Sequence, residues 1–300
     1  MKKVLITGSN GLLGQKLIKK IQAEDRRIEI IGVSSGENRL IETAGFRYFS
    51  IDISQKESVQ SLILKEQPDV VINSAAITNV DICEAEKEKC WAVNVDAVQY
   101  IADAVEQVGA HLIHLSTDFI FDGKEGPYKE GDQPNPLSYY GKSKLASEEI
   151  LAASSCKWSI VRTVLVYGVG ENLGRSNIVL WAIGALQNGA KLNVVNDQFR
   201  TPTLAEDLAD GCWRIAKLGK AGVFNISGKD FMSILELVER IADYFGFSKE
   251  SLNVISSTTL NQAAKRPPIT GFVLDKAILE LNYAPQNFED GLNVVKKQMK

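Results

Sequence analysis

Lys3-Val-Leu-Ile-Thr-Gly8-Ser-Asn-Gly11-Leu-Leu-Gly14 sets an apolar run, three glycines at three-residue spacing and the start of an amphipathic helix in one stretch. Lys3 to Thr7 reads as a buried strand, and Leu13, Leu17, Ile18 and Ile21 then recur on one helical face. Between them, Gly8 permits a tight turn, Gly11 a close backbone approach, and Gly14 the packing of helix on strand. Amide groups and the positive dipole end at such a helix start suit a dinucleotide pyrophosphate. Gly8, Asn10, Gly11, Leu12 and Gly14 are therefore candidate cofactor-binding residues.

The same rhythm continues downstream. Ile28–Val33, Arg47–Ile51, Asp69–Asn73, His111–Ser116 and Lys157–Val166 read as strands, with helices over about Gln55–Glu66 and Cys90–Val108. Alternation of this kind predicts an α/β fold with a doubly wound parallel sheet of Rossmann type. Residues 1–167 form the expected dinucleotide-binding domain. After Tyr167 the pattern loosens. Residues 168–190 and 227–300 read as a smaller, mostly helical substrate-binding lobe. The stretch 191–226, with short strands at Lys191–Val195 and Val223–Ile226, is expected to return to the sheet.

Composition narrows the function classes. A chain of 300 residues with a net charge of -3 offers no electrostatic case for nucleic acid or an anionic membrane surface. Cys83, Cys90, Cys156 and Cys212 form no C-x-x-C pair, and His111 and His114 are the two histidines, so no metal site is expected. Those histidines sit three apart in one strand, point to opposite faces, and read as structural. The N-terminal apolar run is too short for a signal peptide and no run could span a bilayer, which makes cytoplasmic the expected location.

Strand ends carry the next clues. The second strand ends at Ser34-Ser35 with Arg39 nearby and no acid before Glu37, which favours NADP over NAD while leaving NAD possible. Asp52 and Ile53 close the third strand, beside the expected adenine position. Ser74, Ala75 and Ala76 end the fourth, where small side chains let a cofactor lie flat. Tyr140 and Lys144 lie four residues apart at a helix start, so both can act on one point. A nearby ammonium favours the phenolate and suits Tyr140 to proton transfer.

The chain resembles the extended short-chain dehydrogenases and, within them, the dTDP-4-dehydrorhamnose reductase family. The resemblance rests on Gly8-x-x-Gly11-x-x-Gly14, Asn73-Ser-Ala-Ala76, Thr78-x-Val-Asp81, Ser116-Thr-Asp-Phe-Ile-Phe-Asp-Gly123, Tyr140-Gly-Lys-Ser-Lys144 and Asp197-Gln-Phe-Arg-Thr-Pro-Thr203 through Arg266-Pro267. It covers nearly the whole chain. It implies a catalytic set of Thr117, Tyr140 and Lys144, with hydride transfer from NADPH to C4 of a 4-keto nucleotide sugar. Thr78, Thr117, Asp118, Phe119, Asn177, Arg200 and Arg266 fall where relatives hold the substrate. A homodimer is compatible with the resemblance, and the oligomeric state stays open.

Departures from the family pattern put the sugar in question. Phe119 stands where tyrosine is usual, Leu165 where several rhamnose-pathway enzymes have tryptophan, and Arg200 where glycine is common. Lys16 occupies a position at which some relatives carry an acid that contributes to a magnesium site. A sugar-nucleotide 4-epimerase or other 4-keto reductase is the nearest alternative. A non-catalytic regulator, like the related subunit of methionine adenosyltransferase, is a second.

Overall fold

Apolar runs buried on both faces build the central sheet. The computed structural model describes residues 1–260 and 262–299. In chain order β1 (Lys3–Thr7), β2 (Glu29–Ser34), β3 (Arg47–Ser50), β4 (Val70–Asn73), β5 (His111–Thr117) and β6 (Lys157–Thr163) come first. Four short strands follow outside that sheet: β7 (Val166–Tyr167), β8 (Leu192–Val195), β9 (Phe199–Arg200) and β10 (Thr203–Leu204). β11 (Gly222–Asn225) then adds to the β6 edge, and the seven strands run parallel in the order β11-β6-β5-β4-β1-β2-β3. The order reverses between β1 and β4, and ligands bind at such a switch point in open α/β sheets. β12 (Met232–Ser233) pairs with β9, and β13 (Leu252–Ile255) with β8.

Helices cover both faces. The first half supplies α1 (Leu12–Glu24), α2 (Lys56–Glu66), α3 (Val80–Ala85), α4 (Lys87–Trp91), α5 (Ala97–Val108) and α6 (Tyr139–Ala153). The second half supplies α7 (Ile178–Gln187), α8 (Ala205–Leu218), α9 (Ile234–Phe245), α10 (Asp275–Leu281) and α11 (Phe288–Gln298). Alternation along the strands divides the core. Ile6, Ile72 and Ile113 pack with Leu17 and Ile21 of α1 and Trp213 of α8. Leu5, Val71 and Leu112 face Ile63 of α2 and Ile101 of α5. A separate cluster joins Ile183 of α7, Leu237 and Ile241 of α9, and Leu292 of α11.

Three sequence expectations need correction. Lys191–Val195 does not return to the large sheet; β8 pairs in parallel with β13, in a stretch expected to be mostly helical. Residues 90–108 are not one regular helix. Ala92–Asp96 is a wide π-helical turn, inside which Asn94 reaches the backbone of Ile77 with both ends of its amide. The strand expected to reach Val166 breaks after Thr163, where Leu165 takes a positive φ of 42°.

Candidate active site

The glycine loop is shaped by close approach. Gly8 has φ +69°, and a Cβ there would lie 2.8 Å from the Ala75 nitrogen. A Cβ on Gly14 would lie 2.3 Å from the Gly8 carbonyl oxygen. Any side chain at either position would force β1, β4 and α1 apart. Gly11 caps α1 with no side chain over its first-turn amides, which leaves those donors facing the cleft.

This loop forms one end of a cleft of about 770 Å³ along the carboxyl ends of the strands. Gly8, Gly11, Leu12, Gly14 and Arg39 line that end, and Ser74, Ala76 and Thr78 line the edge of β4. Thr117, Asp118 and Phe119 follow β5, and Tyr140 and Lys144 reach in from α6. Asn177 lines the cleft from the start of α7. The structure thus gathers the residues of the glycine loop and the three expected catalytic residues into one cavity.

Tyr140 is 8% exposed and meets the Phe119 ring edge-on, with centroids 5.8 Å apart. Burial pushes its phenol above the ordinary value, while the Thr117 hydroxyl opposes that shift. Lys144 is 2% exposed, and burial brings its ammonium down to about 8. Its Nζ lies 2.9 Å from His114 Nε2. In this arrangement the expected lowering of Tyr140 by Lys144 is absent, because the lysine is turned toward the histidine. Asp118 is raised by burial, opposed by Arg200 and by hydroxyl donors on Thr270 and Thr117.

Several expected ligand contacts are directed elsewhere. Arg200 is 4% exposed and absent from the cleft walls; it donates to the carbonyls of Phe199, Pro267 and Pro268 and lies 3.8 Å from Asp118. It clamps two distant segments. Arg266 lies outside the cleft lining and donates to Asp81 at 2.6 Å. Asn177 caps α7 by accepting from the Leu180 amide and donates to the Gly168 carbonyl, so its amide is spent on the backbone.

At the cofactor end, Asn10 turns away from the cleft and ties down the loop after β2. It donates to the Glu37 carbonyl and accepts from the Arg39 amide. Ser34 accepts from the Asn10 amide, so its hydroxyl is partly committed, and Ser35 is exposed outside the cleft lining. Ala75 also lies outside that lining, beneath Gly8. Asp52 accepts from Ser54, and Ile53 is buried in the core, neither one lining the cleft.

The structure also adds residues that sequence reasoning passed over. Ser116 lines the cleft, is 4% exposed, and its hydroxyl has no partner among the described residues. Arg175, in the loop before α7, reaches the cleft. Ser116 opens the Ser116–Gly123 motif, whereas Arg175 belongs to no motif that would flag it. The free amides of α1, the Ser116 hydroxyl and the exposed Arg39 together fit a phosphorylated dinucleotide. Lys16 bonds to Glu206 and Gln298, both at 2.7 Å. No group of acids, histidines and cysteines suited to a metal ion occurs among the described residues. No described helix is long and apolar enough to cross a membrane.

Comparison with known proteins agrees with this architecture. The family model described as the RmlD substrate binding domain matches residues 1–300. A dTDP-4-dehydrorhamnose reductase of Aggregatibacter actinomycetemcomitans is 32% identical over 308 residues, covering 99% of both chains. Methionine adenosyltransferase 2 subunit beta of Bos taurus is 30% identical over 271 residues, 89% of this chain and 78% of the relative. The solved structure of dTDP-4-dehydrorhamnose reductase from Bacillus anthracis str. Ames in complex with NADP matches at a TM-score of 0.87 and 28% identity, over 99% of this chain and 100% of that one. The chain belongs to the RmlD substrate binding domain family, the dTDP-4-dehydrorhamnose reductase-like oxidoreductases of the extended short-chain dehydrogenase superfamily.

Proposed function

We propose that this protein reduces the 4-keto group of a nucleotide-linked deoxysugar with NADPH, converting dTDP-4-dehydro-L-rhamnose to dTDP-L-rhamnose. The observation that carries the reading is the convergence of Thr117, Tyr140 and Lys144 on one cleft with the Gly8–Gly14 loop. Similarity to a reductase and to a structure in complex with NADP supports it.

When bound, the nicotinamide supplies the hydride. Tyr140 donates its O–H proton to the substrate oxygen as negative charge develops there. The Thr117 hydroxyl donates a hydrogen bond to the same oxygen, and its contribution is greatest in the transition state. The protonated Lys144 steadies the phenolate that Tyr140 becomes. The glycine loop would hold the pyrophosphate on the α1 amides, and Arg39 supports NADP by offering a cation to the 2′-phosphate. Thr78 and Phe119 would shape the sugar pocket.

Purified protein, NADPH and dTDP-4-keto-6-deoxy-L-mannose test this reading directly. Stoichiometric loss of absorbance at 340 nm with formation of dTDP-L-rhamnose supports it. Turnover without NADPH consumption would instead indicate the epimerase. A regulatory role draws on the relative named as a methionine adenosyltransferase subunit. That role predicts full biological function for a Tyr140→Phe variant and co-purification with a partner enzyme.

A further inference from the structure

The hydrogen-bond inventory around His114 constrains the proton count of Lys144. His114 lies on β5 and is fully enclosed, at 0% exposure. Its Nδ1 faces Asn73 Nδ2 at 3.0 Å, and its Nε2 faces both Lys144 Nζ at 2.9 Å and Ser147 Oγ at 3.0 Å. The Thr7 hydroxyl donates to Asn73 Oδ1 at 2.5 Å, with the amide nitrogen turned toward the imidazole. Asn73 therefore presents its NH2, which can only donate, to Nδ1.

An imidazole that accepts at Nδ1 and is neutral carries its single proton on Nε2. Burial holds His114 well below the usual histidine range, so the ring stays neutral. The Nε2–H has two neighbours. Ser147 donates its own hydrogen to the Lys144 carbonyl at 2.7 Å, which leaves its oxygen free to accept. Lys144 can accept only as the uncharged amine, because an ammonium has three hydrogens and no lone pair.

We propose that Lys144 is a two-position residue with His114 as its positioning partner: the neutral amine rests on the His114 Nε2–H, and the ammonium leaves it for the cleft. The proton is taken from solvent through the open cleft and completes the ammonium, with no change at the imidazole. The charged and titratable groups facing Lys144 oppose burial. Glu148, one turn along α6, favours the charged form, but its carboxylate is held by Arg162 of β6 at 2.7 Å. Cys90 of α4 favours it too. Among the described residues Lys144 Nζ bonds to His114 and not to Tyr140, one turn earlier on α6. Burial outweighs these influences.

The catalytic consequence rests on the reductase reading, whereas the proton inventory does not. If the protein is a reductase, Tyr140 becomes an effective acid only when Lys144 has been released toward the cleft.

The test is NMR of imidazole-15N-labelled protein without any ligand. With two histidines in the chain, a His111→Gln variant assigns both rings. The expected result is an Nε2–H tautomer for His114, with Nδ1 shifted as an acceptor. Its Nε2 signal should move around pH 8, where Lys144 gains its proton, while the ring itself never titrates. The movement should vanish in Lys144→Met. Asn73→Asp, which offers Nδ1 an acceptor, should switch the ring to the Nδ1–H tautomer and hold Lys144 as the ammonium to higher pH. An Nδ1–H tautomer in the wild-type protein would overturn the proposal, since Lys144 would then be a standing ammonium donating to Nε2. A shift at pH 8 that persists in Lys144→Met would overturn it as well. Both outcomes are independent of whether the protein reduces a sugar.

Discussion

Gly141 lies against Phe119 so tightly that a Cβ on the glycine would sit 2.2 Å from the Phe119 carbonyl oxygen. This contact seats the first turn of α6 on the segment leaving β5, and so fixes Tyr140 beside Thr117. Gly141→Ala should therefore overpack the junction, costing about 1–3 kcal/mol of stability. Urea midpoints check the cost. A parallel fall in turnover is expected, because the phenol and the hydroxyl would no longer share one target.

Tyr140→Phe removes the proton donor and leaves the packing against Phe119 intact. The expected loss in kcat/KM is about 10²–10⁴-fold, typical of a positioned acid. Cofactor affinity, read by quenching of tryptophan fluorescence, should change by less than about threefold.

Arg39 lines the cleft with an exposed side chain while its backbone is held by Asn10. Arg39→Ala should raise KM for NADPH by about 10–100-fold, the equivalent of a lost charge-assisted contact. KM for NADH should be nearly unchanged. Equal effects on both cofactors would remove Arg39 from 2′-phosphate recognition.

Arg162 and Glu148 form a buried pair, with side chains 6% and 7% exposed and a shortest contact of 2.7 Å. Glu148→Ala strands the guanidinium and should cost about 3–5 kcal/mol. Replacing both partners with apolar residues of similar volume should recover most of that loss. Urea unfolding of the single and double variants provides the comparison.

His111 gives acid sensitivity a definite sign. Burial, then the charge of Lys157, pushes this imidazole down to about 4. Between the ordinary histidine value, about 6.5, and that point the unfolded chain binds more protons than the folded one. Stability should thus fall as pH drops through this window, by up to about 3 kcal/mol from this group alone. His114, also held well below the ordinary range by burial, acts in the same direction. Unfolding midpoints at several pH values should show a shallower slope for His111→Gln.

Local patterns were readable in the sequence, and long-range pairings were not. Val4 to Ile6 and Val70 to Ile72 announce buried parallel strands by their own composition. The glycine loop is equally self-contained, and so is the four-residue spacing of Tyr140 and Lys144. The four residues of β8 would read identically beside any partner, and their neighbour β13 is a partly exposed strand lying 60 residues away at Asn193 and Asn253. The bonds of Arg200 to the carbonyls of Pro267 and Pro268 are not legible locally, because those groups lie far along the chain. The π turn at Asn94 hides inside helical periodicity, and the backbone of Ile77 to which its side chain bonds lies 17 residues away. Ser34 shows the same limit at the cofactor end: a hydroxyl in the expected position is already engaged by the Asn10 amide.

The late arrival of β11 and α8 has a consequence for biosynthesis. β11 covers the β6 edge, and Trp213 of α8 packs with Leu17 and Ile21 of α1 and donates to Glu24 at 2.8 Å. A nascent chain that has emerged only to Tyr167 therefore exposes an apolar helix face and an unpaired strand edge, both prone to association. The nucleotide-binding half is not a detachable cassette. It is finished by residues that the ribosome adds some fifty positions after the last of its first six strands.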